Sequence, residues 1–503
     1  MATRSRASSS PSAGHSEMRR VPVVRSGALL IAAVCGVLAL SACDNVLNDD
    51  EKSFHMRFVN LLEDSPTVQY KLDDTVLNSA GYLATTTLSP ARPGTHTVSF
   101  AAVRPTSLDD DDGDEGDPIP LGGSFERDYA RDRDYTVIAF GTLDDVRTFV
   151  VEEPSDRGSL DDDYIEWHVL NAAPNAPSVE VYITAPEAQI TTPQKMATLA
   201  LGEKSEPAKL KLFRRPDVTD EDAALIVDLT FELRDAATGV TLFHSPKVRL
   251  QEAQRVLFAI ARNIGPGPST LKMFGVDGYS GTLYDTADQA AVRIVHVSAD
   301  TPPLDIIRGS SLGTPIAQNL AFRDASAYVI VPHGEVDLIG VPAGGTSVFL
   351  FLEEFNASRN GSYSAYTVGP LASVDAVVLT DDRRSVPTQS KFRFLHAAHS
   401  QEEEDGLDVY VTLPGQVLDF DSTDDDDTSD NASRFRRGTI DYRSATDYII
   451  LKSGRYQVRF AATGTSRIVL DTEIIVQDGS VQTFVLTESE ARELELIPVE
   501  EAL

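Results

Sequence analysis

The chain is short of cysteine, tryptophan, positive charge and long apolar runs, and each shortage excludes something. It has two cysteines in 503 residues, Cys35 and Cys43, both near the start. Beyond residue 43 there is therefore no thiol for a disulfide, a thiolate metal site or a cysteine nucleophile, so stability there rests on packed cores. The single tryptophan, Trp167, falls in an apolar stretch that reads as a core strand, which removes the usual platform for stacking sugars. Basic residues number 44 against 77 acidic, a net charge of −33. The first 43 residues hold five Arg and one Glu, so the remainder carries 39 basic and 76 acidic residues, a net −37. Such a surface repels phosphate backbones and excludes nucleic acid as a partner. The longest apolar run, Gly27 to Leu40, has fourteen residues, where a membrane-spanning helix needs about 20.

That run has the layout of an export signal. Met18-Arg19-Arg20 and Arg25 supply a positive start, the apolar stretch follows, and Leu40-Ser41-Ala42-Cys43 places small residues before a cysteine. The Ser-rich stretch before Met18 adds nothing to this layout, which points to Met18 as the true start. Arg19-Arg20 also opens a twin-arginine pattern, but Val21-Pro22 does not continue it. The segment resembles the signal peptides of bacterial lipoproteins. The resemblance implies cleavage after Ala42, acylation of Cys43 and attachment to a membrane through that lipid. Two or three acyl chains anchor stably where one does not, at about 0.8 kcal/mol per buried CH₂. Asp44 and Asn45 follow the lipid position, and an Asp there resembles the inner-membrane retention signal of enterobacterial lipoproteins. That rule differs between bacterial groups, so the expected address is the cell envelope, with inner and outer membrane both open.

Much of the negative charge sits in short runs: Asp109 to Asp112, Asp161 to Asp163, Glu402 to Asp405 and Asp424 to Asp427. Runs of like charge usually form solvated loops. A calcium loop centred on Gly113 would need an acid at 108 and a Glu at 119, where the chain has Leu108 and Ile119. Ca²⁺ therefore stays an alternative ligand for these loops, and no other cofactor is implied.

Four segments share one opening. They are Met56-Arg57-Phe58-Val59-Asn60, Trp167-His168-Val169-Leu170-Asn171, Val292-Arg293-Ile294-Val295-His296 and Phe392-Arg393-Phe394-Leu395-His396. In the first three a Pro follows the Asn or His by six residues; in the fourth the acidic insert Gln401 to Gly406 takes its place. A second alternating segment comes next, as in Leu304-Asp305-Ile306 and Leu407-Asp408-Val409-Tyr410. Period-two alternation predicts half-buried strands, and the Pro predicts a bend. The spacings between Asn60, Asn171, His296 and His396 are 111, 125 and 100 residues, too long for propeller blades and right for sandwiches. The expected fold is all-β: a tandem array of four antiparallel Ig-like β-sandwich domains after the signal. The expected boundaries are 1–43 for the signal, 44–53 for a linker, then 54–155, 164–285, 290–384 and 390–503, the last with a short C-terminal tail. Linkers near 156–163, 285–290 and 383–390 are expected to be open to proteases.

The opening and its sequel resemble a domain family of bacterial exported proteins catalogued as domain of unknown function 4397. The third copy carries the resemblance through Arg293, His296, Pro302 and Asp305, and the fourth through Arg393, His396, Asp408 and Tyr410. The first two depart from it with Asn60 and Asn171, and with Gln69 and Glu180 in place of Asp. The resemblance implies an extracytoplasmic β domain and no established activity.

Asn cannot transfer protons at neutral pH, so Asn60 and Asn171 imply that His296 and His396 hold a bend rather than catalyse. Arg57, Arg293 and Arg393 are expected to pair with Gln69, Asp305 and Asp408 on the next strand, and His168 with Glu180. His396 and His399, beside Glu402 to Glu404, form the best local metal pattern. No G-x-S-x-G, H-E-x-x-H, P-loop or G-x-G-x-x-G motif occurs. These readings predict a non-enzymatic, lipid-anchored envelope protein that binds, adheres or scaffolds, with an envelope protein or glycan as partner. The alternative is a ligand- or divalent-cation-binding protein using acidic loops at the sandwich ends.

Overall fold

A computed structural model describes residues 53–105, 108, 117–155, 163–214, 224–251, 255–309, 313–402, 406–420 and 435–502. Cys43, Asp44, Asn45 and most of the acidic runs lie outside these residues. The described chain belongs to one compact unit and is almost wholly strand, arranged as eight sheets, two to each repeat. One sheet of each repeat holds its opening strand: Phe54–Leu62, Tyr164–Asn171, Ala290–His296 and Ser390–His396. The second sheet is built around the next strand in sequence: Val68–Leu72, Ser178–Ala185, Leu304–Arg308 and Leu407–Thr412. The two sheets close on a core of their own, such as Phe58, Tyr70 and Phe100 in repeat 1 or Phe394, Val409 and Phe460 in repeat 4.

The sandwich expectation holds, with one refinement to strand direction. Each opening strand pairs in parallel with a late strand of its own repeat: Arg133–Gly141, Arg255–Arg262, Ser362–Val368 and Val481–Glu488. The strand that follows returns antiparallel, so that Pro154 lies opposite Arg133 while His55 lies opposite Asp134. Repeats 1, 3 and 4 thus begin and end at one pole, called here the terminal pole, and each opening strand runs to a bend pole; in repeat 2 a further strand, Thr282–Leu283, turns back antiparallel to Leu271–Asp277, so its chain leaves at the bend pole. Chain ends on one side favour neighbours lying side by side rather than end to end.

Side-by-side packing is what forms, in two pairs. Val59, Leu61, Ile138 and Phe140 of repeat 1 share one apolar cluster with Leu170, Leu257, Ala259 and Phe274 of repeat 2. Val295, Tyr366 and Val368 of repeat 3 share another with Leu395, Val485 and Val499 of repeat 4. The opening strands are consequently buried on both faces: every residue of Ala290–His296 and of Ser390–His396 is buried. The alternation predicted a half-buried strand, and the polar-looking face proves to be a docking face.

The expected linkers are packed in part: Asp285, Asp288, Val386, Gln389 and Ser390 are buried, while Thr286, Ala287, Gln289, Ser385 and Pro387 are exposed, and 156–162 lies outside the described residues. The C-terminus is no tail either, since Glu501 is 1% exposed and its N–H donates to Val481 O at 2.7 Å. The bend pole of the first pair meets the terminal pole of the second. Asn263 Nδ2 donates to Asn360 Oδ1 at 3.0 Å, and Arg384 Nη1 donates to Ser65 O at 2.6 Å.

Candidate functional site

The residues that mark the repeats converge on the docking faces. Arg57 donates through Nε to Thr136 Oγ1 (2.8 Å), and its terminal nitrogens grip Asp277 of repeat 2 at 3.0 and 2.9 Å. Arg293 donates through Nε to Ser364 Oγ (2.7 Å) and crosses to the Glu500 carbonyl of repeat 4. Arg393 donates through Nε to Thr483 Oγ1 (2.8 Å). Its Nη2 holds both Asp381 of repeat 3 (2.8 Å) and Glu501 (3.1 Å). The hydroxyl partner stands directly opposite the arginine on the parallel strand in all three repeats.

This corrects the expected cross-strand pairing with Gln69, Asp305 and Asp408. Those residues lie in the other sheet of the sandwich, and the arginines alternate with core residues such as Phe58 and Phe394, so they point out of the sandwich altogether. His168 likewise does not face Glu180. It sits between Glu166 (3.7 Å) and Lys204 (3.0 Å), with burial and then the Lys204 charge holding its pKa below the usual histidine value. Glu180 bonds Lys195 and Tyr182. The aspartates instead fasten hairpin turns. Asp305 Oδ2 accepts the Gly344 N–H (2.9 Å) and Asp408 Oδ2 the Gly464 N–H (3.3 Å), both glycines at φ +70. A Cβ is disfavoured there, so turn glycine and strand aspartate come as a set.

The strand-exit residues face inward at the bend pole and are fully buried. Asn60 donates through Nδ2 to Ala80 O (3.1 Å) and accepts the Leu62 N–H (3.1 Å). Asn171 donates to Ala176 O (2.9 Å) and accepts the Ala173 N–H (3.2 Å). His296 Nδ1 lies 3.0 Å from Thr367 Oγ1 and 3.4 Å from the Ser298 N–H it accepts. Burial lowers the pKa of His296 and pushes that of His396 down to about 4, so both rings are neutral at pH 7. His399 is exposed, pairs with Glu402 at 2.6 Å, and shares only the Tyr442 ring with His396. Among the described residues no group of three His, Cys, Asp or Glu is placed to hold a metal ion.

The densest chemistry lies between repeats 3 and 4. Asp381 and Glu501 have side chains with no exposure and share Arg393. Asp381 also accepts from Ser364 (2.7 Å) and Tyr328 (2.8 Å); Glu501 accepts from Thr483 and Tyr448. Arg293 stacks on Tyr328 at 4.8 Å and Arg393 on Tyr448 at 4.6 Å. Burial raises the pKa of Glu501 and pushes Tyr366, packed beside it, up to about 12. The rim repeats the symmetry, with Arg323 on Glu495 and Arg443 on Asp375 (2.8 Å). The halves mirror each other in the arginine–hydroxyl bonds and the arginine–tyrosine stacks, the pattern of a two-fold interface, but Arg393 alone takes both carboxylates. The sequence carried a signal for this cluster in Ala325-Ser326-Ala327-Tyr328 and Ala445-Thr446-Asp447-Tyr448, and in an acid after each closing strand. Ser326 and Thr446 accept the opening-strand N–H of Ile294 and Phe394, both at 3.0 Å, as Ser205 (3.0 Å) and Thr86 (2.9 Å) do in the other repeats.

The carboxylates of the cluster have no exposure to solvent. A cavity of about 10 Å³ in the core of repeat 3, between Ile294, Ile306, Leu338 and Leu350, holds at most one water.

Comparison with known proteins agrees with the repeat structure. The sequence model of the family described as Domain of unknown function (DUF4397) matches residues 54–182 and 290–410. Each match starts at the opening strand of one repeat and ends in the second strand of its pairing partner. No curated protein matches the chain in sequence. Among solved structures, the Bacillus anthracis TIE protein is 8% identical with a TM-score of 0.14, covering 88% of this chain and 68% of its own. A candidate adhesin from Bacteroides ovatus is 13% identical with a TM-score of 0.14, covering 49% of this chain and 99% of its own. Residues 54–182 and 290–410 belong to the DUF4397 family.

Proposed function

We propose that this protein is a non-enzymatic lipoprotein of the bacterial cell envelope, tethered through acylated Cys43, whose stacked repeat pairs present a surface for binding or adhesion. The observation that carries this reading is the use made of the repeat signature. The arginines join repeats, Asn60, Asn171 and His296 hold bends, and the aspartates fasten turns, so most of the polar residues that recur are engaged in structure. What differs between repeats is their loops, where binding residues concentrate on rigid β scaffolds. A negatively charged chain does not adhere to an anionic leaflet unaided, which gives the lipid a physical purpose.

Acylation is tested by expressing the full chain in a bacterial host supplied with a clickable palmitate analogue. The expected result is label in the membrane fraction for the wild type, and an unlabelled, unprocessed or released chain for Cys43→Ser. Equal labelling of Cys43→Ser would overturn the anchor.

A further inference from the structure

We propose that the bend pole of repeat 3 is a docking site for an arginine-bearing turn of a protein partner. The proposal rests on the binding reading above and gives that partner a chemistry. Its basis is a contact that the chain already makes with itself on the equivalent pole of repeat 1.

In repeat 1, Asp64 Oδ1 accepts the Leu143 N–H at 2.8 Å, tying the bend to the turn beside it, and the Ser65 N–H returns to Leu62 O at 3.2 Å. The Ser65 carbonyl then faces outward and accepts Arg384 Nη1 at 2.6 Å. The guanidinium lies 5.1 Å from the Tyr82 ring, and Asp64 adds its charge. Pro66 is buried beneath this contact.

Repeat 3 builds the same pole residue for residue. Asp300 Oδ1 accepts the Leu371 N–H at 3.0 Å, and the Thr301 N–H returns to Ser298 O at 3.3 Å. The Arg323 N–H donates to His296 O at 2.8 Å, as the Leu83 N–H does to Asn60 O at 2.9 Å, placing Phe322 where repeat 1 has Tyr82. Yet nothing among the described residues covers this pole: Asp300 and Pro302 are exposed, and Leu371 is 44% exposed. The carboxylate side of the seat, filled by an arginine on repeat 1, is bare on repeat 3, while its ring is occupied by the chain's own Arg323, which is paired with Glu495.

A carboxylate beside an outward carbonyl matches the planar fork of a guanidinium better than the compact ammonium of lysine. The exposed Glu490 and Glu493 add negative charge on the neighbouring repeat, and the net −37 chain steers cations toward it. The Phe322 ring already carries Arg323 at 5.1 Å, so it is not free to stack a sugar.

The test uses the chain from residue 44 and, as probe, the nine-residue peptide Asp381–Gln389, the segment that fills the seat on repeat 1. Methyl NMR of Leu371 reads occupancy during titration. The expected result is a saturable shift with a dissociation constant in the millimolar range, of order 1 mM. It should be absent with the Arg384→Ala peptide, weakened by about fivefold or more in Asp300→Lys and in Pro302→Lys chains, and unchanged in Tyr82→Ala. An equal shift with the Arg384→Ala peptide, or no saturable shift, would overturn the proposal. Saturation of the same methyls by a neutral oligosaccharide, with no response to the peptide, would replace arginine docking while leaving the binding role intact. Acylation of Cys43 is read independently, so the two ideas can fail separately.

Discussion

Replacing Arg393 by Met should be among the most damaging single changes in the second pair. Its side chain is 7% exposed and holds two carboxylates with no exposure, Asp381 at 2.8 Å and Glu501 at 3.1 Å. Met fills much of the volume but leaves both acids buried without a cation. Breaking a buried ion pair from one side costs about 3–5 kcal/mol, because the remaining charge stays desolvated. The triple change Arg393→Met, Asp381→Asn, Glu501→Gln removes the charges together and should recover most of that loss. The chain offers a built-in control. Trp167, the single tryptophan, is buried in repeat 2, so its fluorescence reports the first pair while far-UV circular dichroism reports all four repeats. With a urea dependence of about 2–3 kcal/mol/M for a unit of this size, the circular dichroism transition of the second pair should move down by about 1–2 M. The Trp167 transition should move far less. A loss under about 1 kcal/mol, or a triple variant no more stable than Arg393→Met, would refute the reasoning.

Three further outcomes follow from the same geometry. His396→Asn should be tolerated because Asn fills this position in repeats 1 and 2, and it should remove an acid sensitivity. Since burial holds His396 near 4 in the folded chain, its contribution is complete above the unfolded value near 6.5 and lost as pH falls through 4, by up to about 3 kcal/mol; melts at a series of pH values check this. Asp288, buried at the tier junction, has its pKa pushed up to about 6, first by burial. Its contribution is therefore present below 3.8 and lost as pH rises through 6, and Asp288→Asn should flatten that slope in the same melts. Finally, Arg383-Arg384 should resist trypsin in the folded chain, since Arg384 is seated on Ser65 and Tyr82, and Tyr82→Ala should expose the bond to cleavage on a gel time course.

The sandwiches were legible because a strand with one face in a core alternates, and Phe58 and Phe394 mark that face plainly. The pairing was not legible. Arg57, Arg293 and Arg393 look like solvent-facing residues of an amphipathic strand, and alternation alone cannot tell water from a second protein surface. The apolar neighbours Val59, Val295 and Leu395 on that same face were the available clue: three or four apolar residues in a row suggest burial on both sides. The equivalence of Asn and His was readable from the repeat spacing, because a position filled by either residue needs no proton transfer. The partners of Asp305 and Asp408 were not readable. They are backbone N–H groups of turns about forty to fifty-five residues away, which no side-chain pattern announces.

The central claim is that repeats 3 and 4 form one rigid pair through their opening-strand sheets. Nitroxide labels on Ala372→Cys and Ala491→Cys, at exposed bend-pole sites of the two repeats, test it in a chain from residue 44 that has no other cysteine. Pulsed electron–electron double resonance should give one narrow distance distribution, unchanged from low to high salt because the interface joins an apolar cluster to ion pairs that are shielded from solvent. A broad distribution, as for sandwiches joined by a free linker, would contradict the account.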